Sequence, residues 1–287
     1  TQIPGTTWAN VSCNEQSTFA VRTDGTLWGW GAEGNWGSPS GGPAGHRSSP
    51  TQIGTGETWA TGKGKLASWT TTAAAINSSG ELFTWGKNYT GALGQNQSQP
   101  AKYDQNDPAQ VGSDTDWDII GGENDQGHRG FIVRKTDGTL WVCGGNTNGN
   151  LGQNNRTAYS SPVQIPGTWS KQFVGTDDSR LAIKTDGTLW GWGNNGNGEL
   201  GQNNDTKYSS PVQIPGTNWS VISGDVVIMA IKTDGSMWTW GGNANGGLGH
   251  NNTTPGYSSP VQIGSATDWN PASCNAGSSF AASLRYA

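Results

Sequence analysis

The sequence predicts an all-β chain, folded over residues 1–287 as a single β-propeller domain, and three observations predict it. Tryptophan recurs at Trp8, Trp59, Trp117, Trp169, Trp219 and Trp269, at intervals of 50 to 58 residues. Between these markers a second motif returns, KTDGTLWGWG at Lys184–Gly193 and KTDGSMWTWG at Lys232–Gly241, with copies at Arg22–Gly31 and Lys135–Gly144 and a worn copy, NSSGELFTWG, at Asn77–Gly86. A third, SSPVQI, stands at Ser160–Ile165, Ser209–Ile214 and Ser258–Ile263, with SSPTQI at Ser48–Ile53. A period near 50 residues with four strand-like pieces per unit is the sequence mark of a propeller.

Each piece has its own reason. Within the unit that starts at Trp169, strand A is Trp169–Val174, where the marker Trp opens a half-buried segment. Strand B, Arg180–Thr185, is the apolar-rich piece of the unit, carrying Leu181, Ala182 and Ile183 in a short run bounded by turn signals. Asp186-Gly187 then turns the chain, because Asp and Gly tolerate the positive φ of a tight hairpin. Strand C, Thr188–Trp192, follows, and strand D is Pro211–Ile214. The prolines of the SSP motif (Pro162, Pro211 and Pro260) place D at the sheet edge, where a missing N–H is tolerated. Fourteen of the 16 tryptophans fall on repeat positions and are assigned to packing between blades; Trp36 and Trp69 are the two that no repeat explains.

Composition excludes several classes. The chain has 46 Gly among 287 residues yet 16 Trp, an aromatic load that disordered chains lack. Gly does not recur at every third position, which rules out a collagen helix. The longest apolar runs, such as Val226–Ile231, are far too short for a membrane-spanning helix. No basic segment followed by an apolar stretch opens the sequence, so no signal peptide is expected. The formal net charge is −5 with no Lys/Arg cluster, which argues against nucleic acid as a partner. Three cysteines make no disulfide scaffold and lack zinc spacing, and His46, His128 and His250 are too scattered to hold a metal. No Ser/His/Asp set or paired acids in a catalytic setting stand out, so no catalytic residues, metal or cofactor are assigned.

Strand B, the TDG turn, LWGWG, the loop GNNGNGELGQNN at Gly193–Asn204 with copies at Gly144–Asn155 and Gly241–Asn252, and the later Pro together resemble the regulator of chromosome condensation repeats. The resemblance spans essentially the whole chain, and its wording is similar to the bacterial and bacteriophage branch of that family, including structural proteins of phages. It implies a propeller used as a binding scaffold: the namesake is a nucleotide exchange factor on chromatin, and another member is a secreted β-lactamase inhibitor. Family B strands open with a His, where this chain has Thr18, Thr72, Gly130, Arg180, Val227 and Ser279. That departure, with the acidic balance, speaks against the chromatin role.

Counting strands gives six blades, with seven, as in well-known family members, as the alternative. The N-terminal Thr1–Ile3 would join the last blade beside its B strand, Phe280–Arg285, so that both termini close the ring. Cys13 and Cys274 stand at equivalent places in VSCNE and ASCNA, so either a disulfide locks that seam or both remain free buried thiols. The A–B and C–D loops share one face, and their irregularities fall in three consecutive blades: Trp36, His46 and Arg47 in the first; Lys63, Lys65, Trp69, Tyr89 and Tyr103 in the second; His128 and Arg129 in the third. Trp, Tyr and Arg are typical anchors of protein interfaces, which makes this face the expected partner surface. The functional expectation is a non-enzymatic structural or adhesive propeller of a phage virion or cell surface, binding a protein. The rival readings are a soluble inhibitor or adaptor and a glycan-binding lectin.

Overall fold

A computed structural model describes residues 3, 7–14, 16–31, 46–97, 104–121, 130–175, 178–253, 255–276, 279 and 281–286. The described chain is all-β, with five four-stranded antiparallel sheets and one small two-stranded sheet. Sheet one contains β1 (Trp8–Cys13), β2 (Ser17–Arg22), β3 (Leu27–Gly31) and β4 (Arg47–Ile53). Sheet two contains β5 (Leu66–Trp69), β6 (Thr72–Ile76), β7 (Leu82–Lys87) and β8 (Asp104–Gln110), and sheet three β9 (Trp117–Gly121), β10 (Ile132–Lys135), β11 (Leu140–Gly144) and β12 (Tyr159–Ile165). Sheet four is β13 (Trp169–Gly175), β14 (Ser179–Lys184), β15 (Leu189–Gly193) and β16 (Tyr208–Gln213). Sheet five is β17 (Trp219–Gly224), β18 (Val227–Lys232), β19 (Met237–Gly241) and β20 (Tyr257–Gln262); β21 (Asn275–Ala276) pairs with β22 (Ala281–Ala282). In each large sheet the strands run in chain order, as up-and-down hairpins require.

The chain forms two compact units, Thr1–Gly145 with Ala158–Gln164, and Asn146–Thr157 with Ile165–Ala287. In the first, β1 neighbours β5 and β5 neighbours β9; in the second, β13 neighbours β17. The A strands thus stand side by side and the D strands form the far edges.

Apolar side chains of one sheet fill the gap to the next. Phe19, Val21, Leu27 and Ile53 of sheet one meet Trp59, Phe83 and Trp85. Leu181, Ile183 and Leu189 of sheet four meet Trp219, Ile222 and Trp240. Each Trp takes roughly 150–250 Å² from water, worth roughly 4–6 kcal/mol before ordering entropy. These wedges are where the repeat's stability resides.

Three expectations are corrected. The D strands begin at Tyr208 and its equivalents, so the prolines lie inside the edge strand rather than at its start. Pairing runs Trp190↔Gln213 and Gly191↔Val212, then resumes at Gly193↔Tyr208. Ser209, Ser210 and Pro211 therefore bulge opposite Trp192, and the bulge absorbs the missing N–H. In the second repeat, Gly62–Thr71 is not an A–B loop. Trp59 makes only an isolated bridge with Asn77, strand A resumes as β5, and Thr70-Thr71 is a two-residue turn between Trp69 and Thr72. In the last repeat, Pro271 opens a 3-10 turn, Pro271–Ser273, capped by the Asn270 side chain, where strand A was expected to run on. Strand B there shortens to Ala281–Ala282, with an isolated Trp269↔Arg285 bridge beyond it. Of the expected closing strand, Thr1 and Gln2 lie outside the described residues, and Ile3 is exposed and in no strand.

Candidate functional site

Two repeated devices fix the geometry on which any site rests. The first is a stacked cation. Lys184, at the end of β14, places its ammonium 5.3 Å from the Trp169 ring centroid and 3.8 Å from that of Trp190. Arg22 does the same over Trp8 and Trp28, Lys135 over Trp117 and Trp141, and Lys232 over Trp219 and Trp238. The turn that follows supports the second ring. Asp186 accepts hydrogen bonds from the Thr188 N–H and hydroxyl, and the Trp190 indole donates to that hydroxyl at 2.8 Å. These bonds hold the Asp186 carboxyl below the ordinary carboxylate value.

The second device joins sheets through the Asn/Gly loop. Trp192 donates its indole N–H to the Asn150 carbonyl at 3.0 Å, and Trp240 to that of Glu199 at 2.7 Å. In the first unit the Cys143 thiol faces the Ala92 carbonyl at the equivalent place. The N–H groups of Asn96, Asn154 and Asn203 donate to the carbonyls of Ser160, Ser209 and Ser258. All three asparagines have φ of 56° or 57°, the left-handed region that Asn tolerates.

The described departure from these devices lies in sheet two. There Asn77 replaces the stacked cation, and its amide donates to both Glu57 and Glu81 beside the Trp59–Phe83 pair. Strand A opens into the insert Ala60–Lys65, bound to both neighbouring sheets. Asn10 donates to the Gly62 carbonyl at 3.2 Å, and the Ile120 N–H to the Gly64 carbonyl at 2.8 Å. Gly64 has φ of 74°, and a Cβ there would sit 2.9 Å from the Ile119 side chain, so the close approach requires glycine. Lys65 reaches Asp118 at 3.3 Å, Arg134 reaches the other Asp118 oxygen at 2.8 Å, and Lys63 is exposed. Lys65 and Arg134 thus share one carboxylate, and exposed Lys63 lies two residues before Lys65, on a chain of net charge −5.

The expected interface residues fare differently. Trp36, Tyr103, His128 and Arg129 lie outside the described residues. Trp69 is 1% exposed at the end of β5 and packs against Phe131, 6.3 Å between centroids, so it is core and not available to a partner. Lys63 and Lys65 belong to the strand-A insert instead of an A–B loop. His46 is exposed and Arg47 half-buried at the start of β4, while Tyr89 is 40% exposed in the short 3-10 turn Tyr89–Gly91. Asp118 and Arg134, which complete the Lys65 network, escaped the sequence reading because each looks like an ordinary strand residue. Cys13, Cys143 and Cys274 are free thiols; Cys13 is exposed, and burial pushes the Cys274 thiol up to about 12.

The second unit holds a cavity of about 580 Å³ where the loops of sheets four and five meet. Asn197, Asn204, Asp205, Asn243 and Asn245 line it around Val226. Asn197 is held from behind by the buried Glu199 carboxylate, through its N–H at 2.8 Å and its amide at 3.3 Å.

Serial four-stranded antiparallel sheets, wedged by tryptophan and joined by Gly-rich loops, define a propeller-type repeat protein. The model of the regulator of chromosome condensation (RCC1) repeat matches residues 79–120, 186–226 and 234–284, so these three segments carry that repeat. Prp20p from Saccharomyces cerevisiae, described with its binding to Gsp1p and histones, superposes with a TM-score of 0.76 at 16% identity, over 97% of this chain and 69% of that one. Human WBSCR16 gives 0.73 at 16% identity over 94% and 69%. Yeast RCC1 (Prp20) bound to Kap60 gives 0.71 at 16% identity over 96% and 67%. At such identity the likeness establishes the fold alone. Sequence comparison with curated proteins finds no match.

Proposed function

We propose that this chain is a non-enzymatic RCC1-type propeller scaffold whose work is to hold a protein partner, as a structural or adhesive component of a bacteriophage virion or a cell surface. Six blades closed by strands from both termini complete the proposed architecture. The observation that carries the binding role is the Ala60–Lys65 insert. It is a described interruption of a strict repeat, anchored on both sides, and it carries exposed Lys63 and the Asp118-bound Lys65 on an acidic chain. Rigid presentation lowers the ordering entropy lost on binding, and local positive charge selects partners with acidic side chains. The virion or surface setting draws support from the phage-like wording of the repeats.

Pull-down with the intact chain, followed by affinity measurement on the recovered protein for wild type and Lys63→Glu, tests this. Weaker binding by the variant, together with a falling affinity as salt is raised, is expected. Equal binding by both proteins at all salt concentrations would remove the insert from the interface.

One observation favours a second reading, a lectin: the carboxamide-lined cavity around Val226. Amides both donate and accept, as sugar hydroxyls do. A glycan array without hits would count against it.

A further inference from the structure

The Asn/Gly loops of sheets three and four are near copies, and the same bonds join each to the sheet that follows. The loop of sheet three, Asn146–Thr157, belongs to the second unit together with sheets four and five, so two successive junctions can be compared inside one unit. At the first junction, Asn148 accepts a hydrogen bond at its Oδ1 from the Lys207 ammonium, 2.8 Å away. Lys207 stands just before Tyr208, which pairs with Gly193. At the second junction Asn197 takes the place of Asn148, and Tyr257 pairs with Gly241 as Tyr208 does with Gly193. Register therefore puts Gly256 where Lys207 stood. A side chain cannot replace it, because a Cβ on Gly256 would lie 2.0 Å from the Gly241 carbonyl oxygen.

The cavity of about 580 Å³ lies at this second junction, with Asn197 and Gly256 in its lining and every lining residue in the second unit. Its charge differs from that of the first junction. Where the sheet-three loop carries Asn150 and Arg156, the sheet-four loop carries Glu199 and Asp205. Glu199 is 3% exposed, and its carboxylate accepts from the N–H and the side-chain amide of Asn197. These bonds occupy the Asn197 Nδ2 and leave its Oδ1 as an acceptor, the atom that in Asn148 takes the lysine. Asp205 is exposed on the cavity wall and pairs with no cation among the described residues. The first junction thus holds two cations, Lys207 and Arg156, and the second holds two carboxylates. Half-buried Val226 and exposed Pro255 add an apolar wall suited to a methylene stem.

We propose that this cavity receives a lysine side chain of a protein partner. The ammonium meets the Asn197 Oδ1 and the Asp205 carboxylate, and the stem runs along Val226 and Pro255. The chemistry is the one the protein uses on itself at Asn148. The inference rests on the protein-binding reading above and names the occupant of the cavity; it does not involve the insert.

NMR titration of the isotope-labelled 287-residue chain tests it. The probes are the end-blocked peptide Gly-Gly-Lys-Gly-Gly and a copy with norleucine in place of the lysine. The lysine peptide is expected to shift the amide signals of Asn197, Gly198, Asp205 and Asn245, and the norleucine copy should not. Asp205→Asn should weaken binding about threefold, and Asp205→Arg should abolish it. The second change copies Arg156 of the sheet-three loop, so the fold accepts it. An absence of shifts with the lysine peptide would overturn the proposal, as would equal shifts with norleucine or binding that Asp205→Arg leaves intact. Shifts at the same residues with methyl glycosides and none with the lysine peptide would assign the cavity to a sugar and likewise overturn it. The Lys63-bearing insert repels a cationic peptide, so the titration reads the cavity alone, and its failure leaves the insert as the candidate contact.

Discussion

Trp240 donates its indole N–H to the backbone carbonyl of Glu199 over 2.7 Å, and with the Asn203–Ser258 bond it ties sheet five to the loop of sheet four. The indole is fully buried, so the carbonyl has no water to replace it. Trp240→Phe keeps an aromatic wedge and orphans the acceptor, which should cost about 1–3 kcal/mol. Trp240→Ala adds a cavity and should cost about 3–5 kcal/mol. Urea unfolding of the two variants separates the bond from the packing.

Gly198 makes the same joint from the loop side. Its φ is +79°, and a Cβ would lie 2.7 Å from the Ser258 Cα. Gly198→Ala should lose at least about 1–2 kcal/mol from the left-handed backbone alone. Gly196 meets only the Asn194 side chain near 3.8 Å and has no positive φ, so Gly196→Ala is the control and should be nearly neutral. Equal melting temperatures for the two variants would contradict the joint.

The stacked cations make a charge-specific prediction. Lys184→Met keeps the aliphatic stem against Trp169 and Trp190 but removes the ammonium, so it should destabilise by about 0.5–2 kcal/mol. The same change at exposed Lys63, which stacks on no ring among those described, should not. Thermal denaturation of both variants checks this.

The Asp turns predict how acid acts. Hydrogen bonds from Thr26, Thr139, Thr188 and Ser236 hold Asp24, Asp137, Asp186 and Asp234 below their ordinary value. A depressed folded pKa gives stability that is complete above the unfolded value, about 3.9, and is lost as pH falls through the folded one. The stability these turns supply should therefore be flat from neutral pH down to that value and decline below it. Thr188→Val removes the hydroxyl bond and should raise the Asp186 pKa toward the ordinary range, measurable by NMR titration of the side-chain carboxyl.

The thiols differ in reach. Burial pushes Cys274 up to about 12, so at pH 8 almost none of it is thiolate, while Cys13 is exposed. Alkylation followed by mass spectrometry should label Cys13 well before Cys274, and reductant should leave the mass unchanged.

Most of the strand pattern was legible because its causes are local. Asp186-Gly187 turns the chain by its own backbone chemistry, and the apolar run Leu181–Ile183 ahead of it marks a strand that is buried on both faces. The bulge at Ser209–Pro211 was not legible, since it depends on pairing with β15, which runs elsewhere in the chain. The role of the lysine in KTDG was hidden for a similar reason: its two rings, Trp169 and Trp190, come together only when strands A, B and C align.

Trp69 marks the boundary between the two kinds of information. By itself the sequence determined the repeat, the all-β class and the places of fourteen tryptophans, because periodicity records which faces are buried. It left Trp69 as an apparent loop residue open to a partner. Only tertiary structure decided otherwise, by moving the irregularity forward to Ala60–Lys65 and setting Trp69 against Phe131, because burial is a property of neighbours that the chain brings from far away.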